Sequence, residues 1–245
     1  DATINNGKFT NNKANLDGAA LYIAGDDCTL SNSTFTGNTA GDDGGAIYWE
    51  GDNGLLYNIT CVNNKGISDI DPTDGTRSNS KGGTICLTGS NVTIEKSNFT
   101  KSSAVVDGGA LFITGNDVNV LNSVFDDCTS TNGNGGAITF SDVSSNCLFD
   151  CEFINNTGTS SYGSVYMSRG NLNISNCEFI NNSAGRRGGS IYYTTYALLN
   201  FTVDNCTFYD SKANQTGGSI YISCGNININ DCKFYNSQAD RGGAI

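Results

Sequence analysis

Asn171-Leu-Asn-Ile-Ser-Asn-Cys-Glu-Phe-Ile-Asn-Asn-Ser-Ala-Gly-Arg-Arg-Gly-Gly-Ser-Ile-Tyr-Tyr193 contains one complete structural unit of this chain. Leu172 and Ile174 alternate with polar residues, and Asn176 interrupts. Cys177 and Phe179 alternate again, a polar run follows from 181 to 187, and Ile191 and Tyr193 alternate after Gly189. Three short period-two runs separated by turn residues predict three strands. A helix would need apolar residues at i, i+3, i+4 and i+7 over ten or more positions, and no such stretch occurs in the chain.

The unit recurs. Gly-Gly-Ala-Ile stands at 44–47, 135–138 and 242–245, with variants Gly82-Gly83-Thr84-Ile85 and Gly188-Gly189-Ser190-Ile191. The second glycine position falls at 19, 45, 83, 109, 136, 163, 189, 218 and 243, so successive units are 25 to 29 residues long except for one of 38. A second marker runs in phase: Phe9, Phe35, Phe99, Phe125, Phe153, Phe179, Phe208 and Phe234, with Cys61 in the missing place. Self-similarity at such a period means one supersecondary unit stacked on copies of itself. Three strands in about 26 residues fit one rung of a parallel β-helix. The expected fold is therefore all-β: a single-stranded parallel β-helix of about nine rungs, one domain over 1–245, with an inserted loop at 65–82.

Stacked rungs place like residues about 4.8 Å apart in columns. Five positions before each marker stand Ile4, Leu30, Leu56, Ile94, Val120, Leu148, Ile174, Val203 and Ile229. Leu21, Ile47, Ile85, Leu111, Ile138, Val165, Ile191 and Ile220 follow the glycines. Two residues later come Ile23, Trp49, Leu87, Ile113, Phe140, Met167, Tyr193 and Ile222. These columns are the expected core, stabilised at roughly 25 cal/mol per Å² of apolar surface buried. Three before the marker a polar column runs through Asn6, Asn32, Asn58, Asn122, Asp150, Asn176, Asn205 and Asp231, with Lys96 departing. Asn and Asp suit a tight bend, where they tolerate unusual backbone angles, and stacked amides can form a ladder. The expected role of this column is structural.

Thirteen basic residues against 24 acidic ones give a net charge of −11. Nucleic acid and anionic membrane are disfavoured partners, because binding phosphate relies on cations. No run of 18 apolar residues marks a transmembrane helix, and no secretory leader is recognisable. Solenoids need capped ends and none is visible, so a processed product or a piece of something longer is expected. Asn is abundant, at 34 residues, and ten Asn-x-Ser/Thr sequons occur, at Asn32, Asn58, Asn91, Asn98, Asn155, Asn173, Asn181, Asn200, Asn205 and Asn214. N-glycans are an expected adornment if the chain is exported, with no one sequon favoured.

Ten cysteines suggest a disulfide framework, but their placement points elsewhere. Cys151, Cys177, Cys206 and Cys232 share the column two before the marker, where Ser33, Ser97 and Ser123 stand in other rungs. Neighbours in that column are within bridging distance, yet in-register side chains point alongside each other. A column of buried thiols is favoured over bridges. A metal is not expected, since no Cys-x-x-Cys pair exists.

Gly-Gly-Ala-Ile in phase with Phe-x-x-Asn (Phe9 to Asn12, Phe35 to Asn38, Phe153 to Asn156, Phe179 to Asn182) resembles the repeats of chlamydial polymorphic membrane proteins. It is more similar still to the Asn-rich adhesin-like surface proteins of methanogenic archaea. The resemblance covers the full chain; Ser102, Cys128, Ser211 and Ser237 replace the Asn in four rungs. It implies a right-handed β-helix at the cell surface that acts as an adhesin, outside the cell and without catalysis. The partner would be a cell-surface protein or a polysaccharide. Fold alone does not settle function. The alternatives are a β-helix polysaccharide lyase or glycoside hydrolase, and a structural envelope or fibre component that self-associates end to end.

Two candidate sites follow. Between the inward columns after the glycines lie Tyr22, Tyr48, Cys86, Phe112, Thr139, Tyr166, Tyr192 and Tyr221. An outward strip of Tyr22, Tyr48, Phe112, Tyr166, Tyr192 and Tyr221 would dock sugar rings or a partner protein; strand propensity and stacking are the plainer account of it. The second candidate is the long rung, with Asp69, Asp71 and Asp74 in a spacing that resembles a calcium loop. It has no closing Glu, so no metal is expected and a solvated turn is the plainer reading. No cofactor is implied. The absence of histidine excludes His-based catalysis, and Asp43 and Asp127 lie three rungs apart, about 14 Å, too far for a paired-carboxylate site.

Overall fold

The computed structural model describes residues 1–68, 79–196, 198–223 and 225–245. Parallel strands wind into four sheets that run the length of the molecule. The first has nine strands, from Thr3–Asn5 to Asn226–Asn230, and the second nine, from Lys8–Thr10 to Lys233–Tyr235. The third has eight two-residue strands, from Lys13–Ala14 to Lys212–Ala213, and the fourth eight, from Leu21–Ile23 to Ile220–Ser223. The sequence predicted three strands per rung and the structure has four. The additional one, Ser183–Ala184 in the unit quoted above, is too short to show an alternation.

Register follows the columns. Ile4 pairs with Leu30 and Leu30 with Leu56, and Ile174 pairs with Val203 and Val203 with Ile229. Phe99, Phe125, Phe153, Phe179, Phe208 and Phe234 stack with ring centroids 4.8 to 5.0 Å apart and planes within 6°. That separation lies in the range where offset stacking is favourable. Cys61 takes the ring's place at full burial.

Each bend has its own residue chemistry. The polar column from Asn6 to Asp231 sits at φ of 47° to 57°, Lys96 included, the left-handed region in which Asn and Asp are enriched. The first glycine of each pair is also left-handed, at φ 66° in Gly82. The second is required by proximity, since a Cβ on Gly83 would collide with the carbonyls of Ser103 and Gly109. Tyr162-Gly163 keeps only this second glycine.

Amides bond to each other in part of the expected column and in a second, buried one. Asn58 does donate to Asn32 at 2.7 Å and Asn205 to Asn176 at 2.9 Å, but both pairs are exposed. The buried ladder stands three after the marker. There Asn38 donates through Nδ2 to the Phe9 carbonyl (3.1 Å) and Asn64 to that of Phe35 (3.0 Å). Asn64 Oδ1 in turn accepts both the backbone and the side-chain N–H of Asn38, at 3.0 and 2.9 Å. Buried amides that satisfy backbone groups fix the third corner of the rung.

Candidate functional site

The outer face of the fourth sheet brings the aromatic column together in register: Tyr22 on Tyr48, Tyr48 on Cys86, Cys86 on Phe112, Tyr166 on Tyr192, and Tyr192 on Tyr221. It is not a continuous solvent-facing strip. The segments that lead into the glycines fold back over it. Lys81 Nζ lies 4.9 Å above the Phe112 ring, and Tyr162 stacks on Tyr192 at 3.7 Å. Arg187 covers Tyr221 at 5.0 Å, and Thr139 Oγ1 donates to the Asn134 carbonyl at 3.0 Å. Phe112 and Tyr192 are consequently buried, with Cys86 and Thr139, while Tyr48, Tyr166 and Tyr221 are half-buried. Tyr22 alone of the column is open, at 55% exposure. The sequence reading missed the covering side chains because they fall in polar connections; their signal is the residue just before each glycine pair.

Two patches remain. At the amino-terminal end Tyr22 and Tyr48 stack at 5.2 Å, and Tyr22 Oη donates to Glu50 Oε1 at 2.8 Å. Toward the other end Tyr166, Tyr192 and Tyr221 stack at 5.4 and 4.9 Å, with Tyr162 against the first two.

Three carboxylates stand at the glycine turns, two of them, Asp17 and Asp43, beside the first patch. Asp17, Asp43 and Asp107 each stand just before a glycine pair. Asp17 Oδ1 accepts the N–H of Asp43 at 3.0 Å, Asp43 Oδ1 that of Lys81 at 2.8 Å, and Asp107 Oδ1 that of Asn134 at 2.8 Å. Burial pushes the Asp43 carboxyl up to about 7, and the neighbouring Asp42 charge adds to it. Burial raises Asp17 and Asp107 as well. The relevant neighbours of Asp43 are thus Asp42, Lys81 and Asp17, and not Asp127. Each aspartate caps the backbone of the following rung, which is a structural use of the carboxylate.

Asp69, Asp71 and Asp74 lie outside the described residues. The ends of their loop close on each other: Ser80 N–H donates to Ser68 Oγ at 3.3 Å, and Ser80 Oγ to the Gly66 carbonyl at 2.8 Å. Among the described residues no group of three or more potential ligands is placed to hold a metal.

The nine described cysteines are free thiols. In the column before the marker, Cys206 Sγ bonds the Asp204 carbonyl at 3.2 Å and accepts the N–H of Cys177 at 3.4 Å. Ser123 Oγ does the same with the Leu121 carbonyl (2.8 Å) and the N–H of Ser97 (3.1 Å). The slot therefore takes a small side chain that can both donate and accept, which is why Ser and Cys alternate there.

A family model described as right handed beta helix region matches residues 73–234. The Chlamydia polymorphic membrane protein repeat matches residues 32–48, which hold Phe35, Asn38 and Gly44-Gly45-Ala46-Ile47. No curated protein and no solved structure matches the chain.

Proposed function

The chain belongs to the right-handed β-helix family, and from that premise we propose that it is the surface-presented, non-catalytic β-helix of an extracellular adhesin. Its binding surface is the outer face of the fourth sheet, and its partner a polysaccharide or a cell-surface protein. The polymorphic membrane protein repeat at 32–48 supports a surface-exposed repeat protein. The observation that carries the binding role is the Tyr22–Tyr48 stack, open at Tyr22 and tied to Glu50. A flat aromatic face beside a fixed carboxylate offers a sugar ring one apolar contact and one hydrogen-bond acceptor. The use of Asp17, Asp43 and Asp107 as backbone caps supports the absence of catalysis.

Whole-cell and glycan binding by the purified chain tests this reading. Tyr22→Ser is expected to reduce binding while leaving the thermal melt in place. Undiminished binding by that variant contradicts the assignment. A second reading, a lyase or hydrolase acting on polysaccharide, is favoured only by the Asp43 carboxyl near 7, a value suited to proton transfer. Release of new sugar ends from a bound polysaccharide would establish it.

A further inference from the structure

The charge of the chain is unevenly spread. Residues 1–185 hold eight cations and twenty carboxylates, whereas 186–245 hold five cations and four carboxylates. Two of those later cations share a column. Arg187 pairs with Thr216 and Thr216 with Arg241, which sets the two arginines two rungs apart, about 9.6 Å at strand spacing. They line an open pocket of about 240 Å³ together with Gln215, Thr216 and Asp240.

The protein leaves these guanidinium groups uncompensated. Among the described residues the ion pairs are Lys96–Glu95 and Arg169–Asp142, so no carboxylate lies within 4.0 Å of Arg187 or Arg241. Among the described residues the Arg187 side chain donates one hydrogen bond, from Nη1 to Tyr221 Oη at 3.3 Å, and its buried Nε has no partner. A guanidinium has five donors in a fixed fork that matches carboxylate or sulfate oxygens. Here the fork is held in place by the ring of Tyr221, which is itself stacked on Tyr192.

We propose that this pocket binds the anionic group of an acidic polysaccharide, a uronate carboxylate or a sulfate ester. Arg187 and Arg241 engage the charge, the Tyr221 ring holds the Arg187 fork in place, and Gln215 and Asp240 face the hydroxyls of the sugar. The spacing of the two arginines is comparable to the length of a disaccharide, so successive charged units along one chain can reach both. This inference rests on the polysaccharide-binding reading above and narrows it to a ligand class.

Calorimetric titration with polygalacturonate, dextran sulfate and uncharged dextran, each at low and raised ionic strength, tests it. Binding of one or both charged polymers but not of dextran is expected, weakened by salt. Which polymer binds more tightly distinguishes carboxylate from sulfate. Arg187→Gln with Arg241→Gln should lower that affinity by about tenfold or more, the loss of charge-assisted hydrogen bonds. Arg241→Gln alone, an exposed position, gives the same readout where the double variant melts early. Equal binding of dextran, or full affinity in the arginine variants, overturns the anionic site while leaving polysaccharide binding in place. Failure of all three polymers overturns both.

Discussion

Ser190 and Ser211 meet in the interior with their hydroxyl oxygens 2.7 Å apart, one following the glycine pair of its rung and the other standing three after Phe208 in the next. Thr84 meets Ser102 in the same way at 2.7 Å, and Ser219 meets Ser237 at 2.6 Å. Where the later rung holds the larger Asn, the earlier one holds Ala: Ala20 precedes Asn38, Ala46 precedes Asn64 and Ala137 precedes Asn156. The variation of Gly-Gly-Ala to Gly-Gly-Ser is therefore set by the neighbouring rung.

Ser164 breaks this rule, because the next rung supplies Asn182, and its buried hydroxyl has no partner. Ser164→Ala is expected to stabilise the fold by about 1 kcal/mol, since it removes an unsatisfied buried group, and so to raise the melting temperature by roughly 2–4 °C. Ser190→Ala should do the reverse, because it orphans Ser211. Thermal melts of the two variants check the pair, and equal behaviour would contradict the rule.

Stability should fall as pH rises toward neutrality. The Asp43 carboxyl is pushed up to about 7 in the folded chain from an ordinary 3.8. Between those values the folded state binds more protons than the unfolded one, so its advantage is complete below the lower value and lost through the upper. Asp17 and Asp107 shift in the same direction. Asp43→Asn, which keeps an oxygen for the Lys81 N–H, should flatten the decline in melting temperature between about pH 4 and 7.

The cysteines should behave as serines do in their column. In denatured, unreduced protein at least nine thiols are expected to react. Cys206→Ser should be tolerated, because a hydroxyl can hold both the Asp204 carbonyl and the Cys177 N–H. Cys206→Ala should cost about 1–3 kcal/mol. A thiol count below four, or equal melts for the two substitutions, contradicts this role.

Removing one buried ladder amide should be more damaging than removing an exposed one. Asn38→Ala orphans the N–H of Asn12, which bonds Asn38 Oδ1 at 2.9 Å, and the Phe9 carbonyl. Asn58→Gly, which keeps the left-handed backbone at φ 52° accessible, removes only an exposed bond to Asn32. Melting temperatures that fall equally would place the ladder in the wrong column.

The period and its columns were legible because a solenoid repeats its contacts: the slots of Ile174, Phe179, Ile191 and Tyr193 are restated rung after rung. Three features were not. The two-residue strand at Ser183–Ala184 is shorter than any periodicity. The Phe-x-x-Asn residue was read as a family mark rather than as the buried ladder, since a polar residue in a polar run gives no sign of pointing inward. The aromatic column was read as open because outward alternation places Phe112 and Tyr192 on the outer face, while the side chains that cover them, Lys81 and Tyr162, come from connections with no alternation to read.

Each lap of backbone rests in register on the one before it. Ring-proton contacts by NMR on selectively labelled phenylalanine measure it directly. Cross-peaks are predicted between Phe153 and Phe179, whose centroids lie 4.8 Å apart, and between Phe125 and Phe153 at 5.0 Å, with none direct from Phe125 to Phe179. Absence of the first two, or a Phe125–Phe179 contact of equal strength, would contradict the stacked architecture.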